Sequence, residues 1–215
     1  MSRILLHICC GPCATYPVAR LREQGFEVTG FWYNPNVHPF SEHQRRLQAM
    51  QDFARSAGLP VIVPEGYDMI EFLRMVSGKE GDRCPECYRM RLSRAALAAK
   101  DGGFDCFTST LLISPHQDQE LLRKTGDEAG AKHGVKLYFE NFRRGFGQSR
   151  QMSKELGLYR QQYCGCIYSE WERYANLKVK NYLEKEDDER TVPLPLRQAQ
   201  GERNPPPARG EHVEP

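Results

Sequence analysis

The stretch "RILLHICCGPC", Arg3 to Cys13, decides the reading of the chain. Arg3–Ile8 reads as a buried strand. Gly11 and Pro12 supply turn chemistry. Thr15–Gln24 then has helical spacing, with Tyr16, Val18, Ala19 and Leu21 on one face and Gly25 as C-cap. Further along, strand-like segments 26–34, 59–65, 104–115 and 135–142 alternate with helical ones. These are 42–58 (with Ser41 as N-cap), Tyr67–Val76, Arg83–Lys100 and 117–134. A basic loop and helix, Arg143–Gln161, and a last helical stretch, Ser169–Leu183, follow. Such alternation predicts an α/β fold: a parallel sheet of about five strands with helices on both faces, plus a C-terminal helical segment. Ligands of such sheets gather outside the carboxyl ends of the strands. The first three cysteines, "YNPN" (Tyr33–Asn36) and "SPHQ" (Ser114–Gln117) all fall at such ends.

The 215 residues suffice for one domain with a sizeable core, expected over 1–184. From Lys185 the chain is rich in proline and charge, and residues 185–215 are expected to be a disordered tail. No run reaches the roughly 20 apolar residues of a membrane span, and the N-terminus does not read as a signal peptide. The expectation is a cytoplasmic protein without membrane contact, whose thiols are kept reduced. Net charge is only +2, so nucleic-acid binding would need a local basic patch.

Eight cysteines in that setting point to ligands or redox groups rather than staples. Cys106 stands alone in an apolar strand and reads as a small buried hydrophobe. Cys84 and Cys87 form "CPEC" at a helix start, where two sulfurs can face one point and the helix dipole favours thiolate. Zinc, an iron–sulfur cluster and thiol exchange all use that spacing. Adjacent Cys9 and Cys10 point to opposite faces of a regular strand. Both can bind one centre only if the strand ends there; otherwise Cys9 is core and Cys10 alone faces the site. All-sulfur coordination fits zinc or iron–sulfur, and adjacent ligands favour the wider cluster. Cys164 and Cys166, in "CGC", can close a strained, exchangeable disulfide or act as extra ligands.

As an ordered set, "HICCGPC", "YNPN", "CPECYRMRL", "TSTLLISPHQ" and "YCGC" resemble the QueH-type epoxyqueuosine reductases, over roughly Ile4 to Tyr182. The resemblance implies a cobalamin-independent oxidoreductase of tRNA processing. Its reaction is the last step of queuosine biosynthesis, reduction of epoxyqueuosine at the wobble position of tRNA to queuosine. It implies a [4Fe–4S] cluster on a fold related to adenine-nucleotide-binding (HUP-like) α/β domains. Carried over by motif, Cys9, Cys10, Cys84 and Cys87 would hold the cluster, and Cys164 with Cys166 would form a redox-active disulfide. An additional iron is associated with the family; Cys13 is its candidate ligand here, as are Cys164 and Cys166 when reduced. "CCGPC" stands where relatives of the fold cradle phosphate, and no G-x-x-x-x-G-K-[ST] loop is present, so ATP is not expected. An external electron donor is required.

The reaction also needs protons. His116 and Tyr163 flank the expected site and are candidate donors, whereas His7 reads as a core histidine. An anticodon-loop substrate calls for stacking and phosphate contacts. Arg143, Arg144, Arg150 and Lys154, interleaved with Phe146, are candidate tRNA contacts, as are Arg89, Arg91 and Arg94 after "CPEC". Two other classes compete: a tRNA sulfur-transferase of related fold, disfavoured by the missing phosphate loop, and a zinc-stabilised RNA-binding module, which would be colourless.

Overall fold

β1 (Ser2–Ile8) is the central strand of a five-stranded sheet and is buried from Ile4 to Ile8. The computed structural model describes residues 1–188, with side chains through residue 183. The strand order is β3-β2-β1-β4-β5, and every neighbouring pair is parallel. β2 (Phe26–Trp32) pairs with β1 along its whole length, and β4 (Cys106–Ser109) pairs from Ile4↔Cys106 to His7↔Ser109. The edge strands β3 (Val61–Ile62) and β5 (Lys136–Leu137) are much shorter than the runs 59–65 and 135–142 suggest. Pro60 and Pro64 bracket β3, and proline cannot donate to a ladder. The expected fourth strand, 104–115, also stops early. After β4 it tightens into a 3₁₀ turn, Thr110–Ile113.

From β1 the chain steps outward to β2 and β3, then returns to the other side of β1 for β4 and β5. Right-handed crossovers therefore put α1 (Gly11–Glu23) and α2 (Phe40–Ala57) on one face. They put α4 (Arg83–Asp101) and α5 (Gln119–His133) on the other. α1 packs on α2, and α4 packs on α5, β1 and β4. Covered on both faces, β1 buries Ile4, Leu5, Leu6 and Ile8 completely instead of alternating. Connections leave the neighbours β1 and β4 in opposite directions, so the crevice beyond their carboxyl ends is the topological switch point.

α1 starts at Gly11, four residues before the expected Thr15. Cys10 is its N-cap, in extended conformation, with Sγ accepting the Cys13 N–H at 3.4 Å. Pro12 falls in the first turn, where its missing N–H costs nothing. α2 likewise begins early, at Phe40, with Pro39 rather than Ser41 at the N-cap. α3 (Met69–Val76) leads towards α4. α6 (Phe146–Glu155) is clamped to α1 by Ser149, whose hydroxyl donates to Pro12 O at 2.6 Å. The expected last helix is two, α7 (Ile167–Tyr174) and α8 (Val179–Asp188), separated around Asn176 at φ 52°. α8 runs past the expected boundary at 184; the remainder of the expected tail lies outside the described residues. Among the described residues, no helix is long and apolar enough to cross a membrane.

Gly11 is where α1 meets α2. A Cβ there would lie 2.4 Å from the Ala49 carbonyl oxygen, a backbone atom that cannot swing away. Gly11→Ala is expected to destabilise the fold by about 1–3 kcal/mol, the usual cost of overpacking, measured as a lowered denaturant midpoint.

Candidate active site

The site is built where β1 and β4 end. Thr110, first residue of the 3₁₀ turn, accepts the Cys9 N–H at 2.9 Å, and its hydroxyl donates to Cys9 Sγ at 3.1 Å. The strand has ended at Ile8, so alternation no longer splays the next two side chains. The sulfurs of Cys9, Cys10 and Cys13 all lie within 4.8 Å of one another, and those of Cys9 and Cys10 are 3.9 Å apart. This group could hold a metal ion. Cys13, expected as a candidate ligand of an additional iron and not of the cluster, is a full member of this group. Gln161 Nε2 caps the group, donating to Cys10 Sγ at 3.0 Å and lying 3.6 Å from Cys13 Sγ. Hydrogen bonds from Cys10, then Cys13, hold the Cys9 thiol well below its ordinary range. Burial pushes Cys10 up, and hydrogen bonding to Cys10 pushes Cys13 up.

Cys84 and Cys87 occupy the first turns of α4. Cys84 is exposed; Cys87 is buried with Cys166, Phe72 and Val76 in a small apolar cluster. Burial raises Cys87 to about 12. All eight cysteines are free thiols. Among the described residues, the trio is the tight sulfur group; Cys9, Cys10, Cys84 and Cys87 do not close at the same spacing.

Cys164 and Cys166 look in different directions. Cys166 is in the apolar cluster, and Cys164 is exposed on a cavity. Gly165 between them has φ 153°, and a Cβ there would sit 2.9 Å from Asn36 Nδ2 and 3.1 Å from Val37. The loop is gripped by Arg46 of α2. Its two terminal nitrogens donate to the carbonyls of Cys164 at 2.8 Å and Tyr163 at 3.1 Å. Its Nε pairs with the buried Glu42 at 2.8 Å, and Tyr159 donates to the other Glu42 oxygen at 2.6 Å. Gln117 completes the surround: Tyr88 donates to its Oε1 at 2.8 Å, and its Nε2 donates to Cys164 Sγ at 3.5 Å.

A cavity of about 720 Å³ joins these parts, lined by Cys13, Cys164, His116, Gln117, Gln161 and Tyr163, with Arg173 and Lys178 on the α7–α8 side. A smaller one of about 260 Å³ shares Cys13 and Gln161 and reaches Arg150 and Arg160. His116 is exposed on the cavity wall; Asp118, not His116, caps α5. The Tyr163 hydroxyl is engaged, donating to His38 O at 2.5 Å, and burial raises its pKa. His7 is a core histidine: Nδ1 meets Ser109 Oγ at 2.8 Å and Nε2 meets Tyr33 O at 3.1 Å, and burial lowers it to about 3. Cys106 is buried in β4.

Two of the expected tRNA contacts are committed elsewhere. Arg91 is 2% exposed and donates to Asn34 Oδ1 at 2.7 Å, so its guanidinium cannot meet a phosphate. It falls on the inward face of α4, one turn after Cys87. Arg143 shapes the Ser114–Gln117 loop, donating to the carbonyls of Ser114 at 3.0 Å, Pro115 and Gln117. Arg144, Arg150 and Lys154 are exposed, as are Arg89, paired with Glu86, and Arg94.

An all-sulfur donor set suits a soft metal or an iron–sulfur centre. The residues fit such a group, because hydrogen-bond donors already surround the sulfurs and the buried Arg91 lies 3.8 Å from Cys87 Sγ. Asn34, Thr110 and Gln117 fall in stretches that the sequence singles out, but their contacts, like those of Gln161 and Arg46, do not show there. Each acts across many residues of chain, and nothing local marks it.

The family model described as "Epoxyqueuosine reductase QueH" matches residues 4–172. A curated protein of that name from Dehalococcoides mccartyi is 42% identical over 173 residues, covering 80% of this chain and 95% of its own. Another, from Thermotoga maritima, is 35% identical over 183 residues, covering 80% and 93%. A solved structure described as a predicted subunit of a tRNA methyltransferase, from Methanocaldococcus jannaschii, aligns with TM-score 0.50 at 11% identity, covering 72% of this chain and 75% of that one. This likeness bears on fold alone, and agrees with a parallel α/β architecture.

Arg46 and Glu42 are buried as a pair, so removing one strands the other. Arg46→Met is expected to cost about 3–5 kcal/mol. Pairing it with Glu42→Leu should recover much of the loss in a denaturation double-mutant cycle.

Proposed function

This chain belongs to the QueH family of epoxyqueuosine reductases, and from that premise we propose that it reduces epoxyqueuosine at the tRNA wobble position to queuosine, in the cytoplasm, at the sulfur-lined cavity. The observation that carries the reading is the convergence of Cys13 and Cys164, from two different cysteine clusters, on one cavity of about 720 Å³. That volume falls in the range of small-molecule sites and suits a single nucleoside swung out of an anticodon loop, whose bases are already unpaired.

Cys9, Cys10, Cys84 and Cys87 are the proposed ligands of a [4Fe–4S] cluster. Cys13 is the proposed ligand of an additional iron, a role its closeness to Cys9 and Cys10 supports. When bound, a cluster supplies one-electron transfer and a neighbouring iron supplies Lewis acidity towards the epoxide oxygen. The protein's own groups complete the balance. Opening the epoxide to the cyclopentene with release of one water consumes two electrons and two protons. Oxidation of the Cys164 and Cys166 thiols to a disulfide releases two of each. An external dithiol or electron-transfer protein then restores the pair. Gln117 holds the Cys164 sulfur against the cavity wall. His116 is the freer proton donor of the two candidates, since Tyr163 must first leave the His38 carbonyl.

Arg173 and Lys178 beside the cavity, with Arg144, Arg150 and Lys154 further out, give the phosphate-binding path. Arg143 supports that path from beneath by fixing the Ser114–Gln117 loop.

Anaerobically purified protein, supplied with reductant and tRNA bearing epoxyqueuosine, is expected to yield queuosine on nucleoside analysis. Cys164→Ser should abolish conversion while the brown colour of thiolate-bound iron persists. Full activity in that variant would sink the redox role. Binding of tRNA should weaken steeply with salt. The triple change Arg144→Ala, Arg150→Ala and Lys154→Ala should flatten the log–log slope by about 0.7 for each phosphate that is no longer neutralised.

A further inference from the structure

Among the described residues, three arginines are almost wholly buried: Arg46, Arg83 and Arg91. Two have a carboxylate. Arg46 meets Glu42 at 2.8 Å and Arg83 meets Glu172 at 2.7 Å. Arg91 has none within 4.0 Å among the described residues. Its partners are the neutral Asn34 Oδ1 at 2.7 Å and Cys87 Sγ at 3.8 Å, and its Nε has no hydrogen-bond partner. A buried cation left without an anion is strongly destabilising, so the missing negative charge has to come from sulfur.

The surroundings are built to hold Arg91 there. Asn34 is itself buried and donates to Ile8 O at 2.8 Å, the carbonyl immediately before Cys9. One carboxamide thus ties the guanidinium to the end of β1. Arg91 follows Cys87 by four residues on α4, one helical turn on the same face.

We propose that Arg91 is the fixed counter-cation of the sulfur site, a positioning residue whose buried guanidinium balances the negative charge of metal-bound thiolates. Metal loading and folding stability are then linked through one side chain. Without ionised sulfur the charge is uncompensated; with a thiolate-bound metal centre it is satisfied. The inference rests on reading the sulfur site as a metal centre, and its test separates the two.

The test uses the wild-type chain, Arg91→Gln and Arg91→Lys, each reconstituted anaerobically with iron and sulfide. Iron per folded chain, its release to a chelator, the midpoint potential and the melting temperature with and without metal are measured. Arg91→Gln is expected to release iron about 10–100-fold faster, the usual scale for losing a group that supports metal ligands. Its midpoint potential should move negative, and metal should raise its melting temperature less than in wild type. Arg91→Lys, which keeps the charge, should stay near wild type in all of these. Iron retention and potential in Arg91→Gln equal to wild type overturn the proposal, as does equal loss in both variants. If Arg91→Gln does not fold, Arg91→Lys decides alone: wild-type retention supports the charge, and loss overturns it. A wild-type chain that takes up no iron overturns the metal reading and this inference with it.

Discussion

The sulfur site depends on how the chain leaves β1. A strand continued through residues 9 and 10 would send one sulfur to each face of the sheet. Instead pairing ends at Ile8, Cys10 turns into an extended N-cap, and α1 begins at once at Gly11. That abrupt start needs α1 to press its first turn onto the Ala49 carbonyl of α2, which only glycine allows. Cys13 then arrives one turn into the helix, on the side of Cys9 and Cys10. Backbone geometry, rather than any feature of cysteine, brings the three sulfurs together.

Topology supplies the rest of the site. Its walls come from the carboxyl ends of β1, β2 and β4: Cys9 after the first, Asn34 after the second, Thr110 after the third. These are neighbours in the sheet but lie far apart in the chain. Their coordination is done by hydrogen bonds that each join two strand ends: Thr110 to Cys9, Asn34 to Ile8. The helices then contribute what the strand ends lack. α4 brings Cys87 and Arg91, α2 brings Arg46, and the segment after α6 brings Gln161 and Cys164. The turn from β1 into α1 is lined by thiols, and the groups around it are donors and cations, suited to negatively charged sulfur.

Much of this is legible in the sequence. Strand–helix alternation announces the parallel sheet, and the polar clusters at strand ends announce where the site lies. The long strands are readable because β1 and β2 bury most of their later residues, giving continuous apolar runs. The edge strands are legible as runs but not in their lengths: each pairs on one side only, and Pro60 and Pro64 clip β3 at both ends. Within the site, cysteines are visible because their spacing is local. Arg91 is hidden because "YRMRLSR" looks like a basic surface run, and only the helix phase set by packing of α4 on β1 and β4 turns that residue inward. Gln117, Gln161 and Arg46 are common residue types whose partners are 47, 151 and 118 positions away. No local pattern marks such contacts.

The grip of Arg46 falls on the main chain of the Tyr163–Cys164 loop, through two carbonyls, and leaves the Cys164 side chain unclamped except by the long Gln117 contact. A cysteine has a single heavy-atom torsion. With its carbonyl pinned and its sulfur facing open space, Cys164 can change rotamer on the picosecond-to-nanosecond scale of exposed side chains while the loop stays seated. The sulfur is therefore a swinging arm on a fixed pivot, able to sweep the cavity it faces while the carbonyls of Tyr163 and Cys164 stay held.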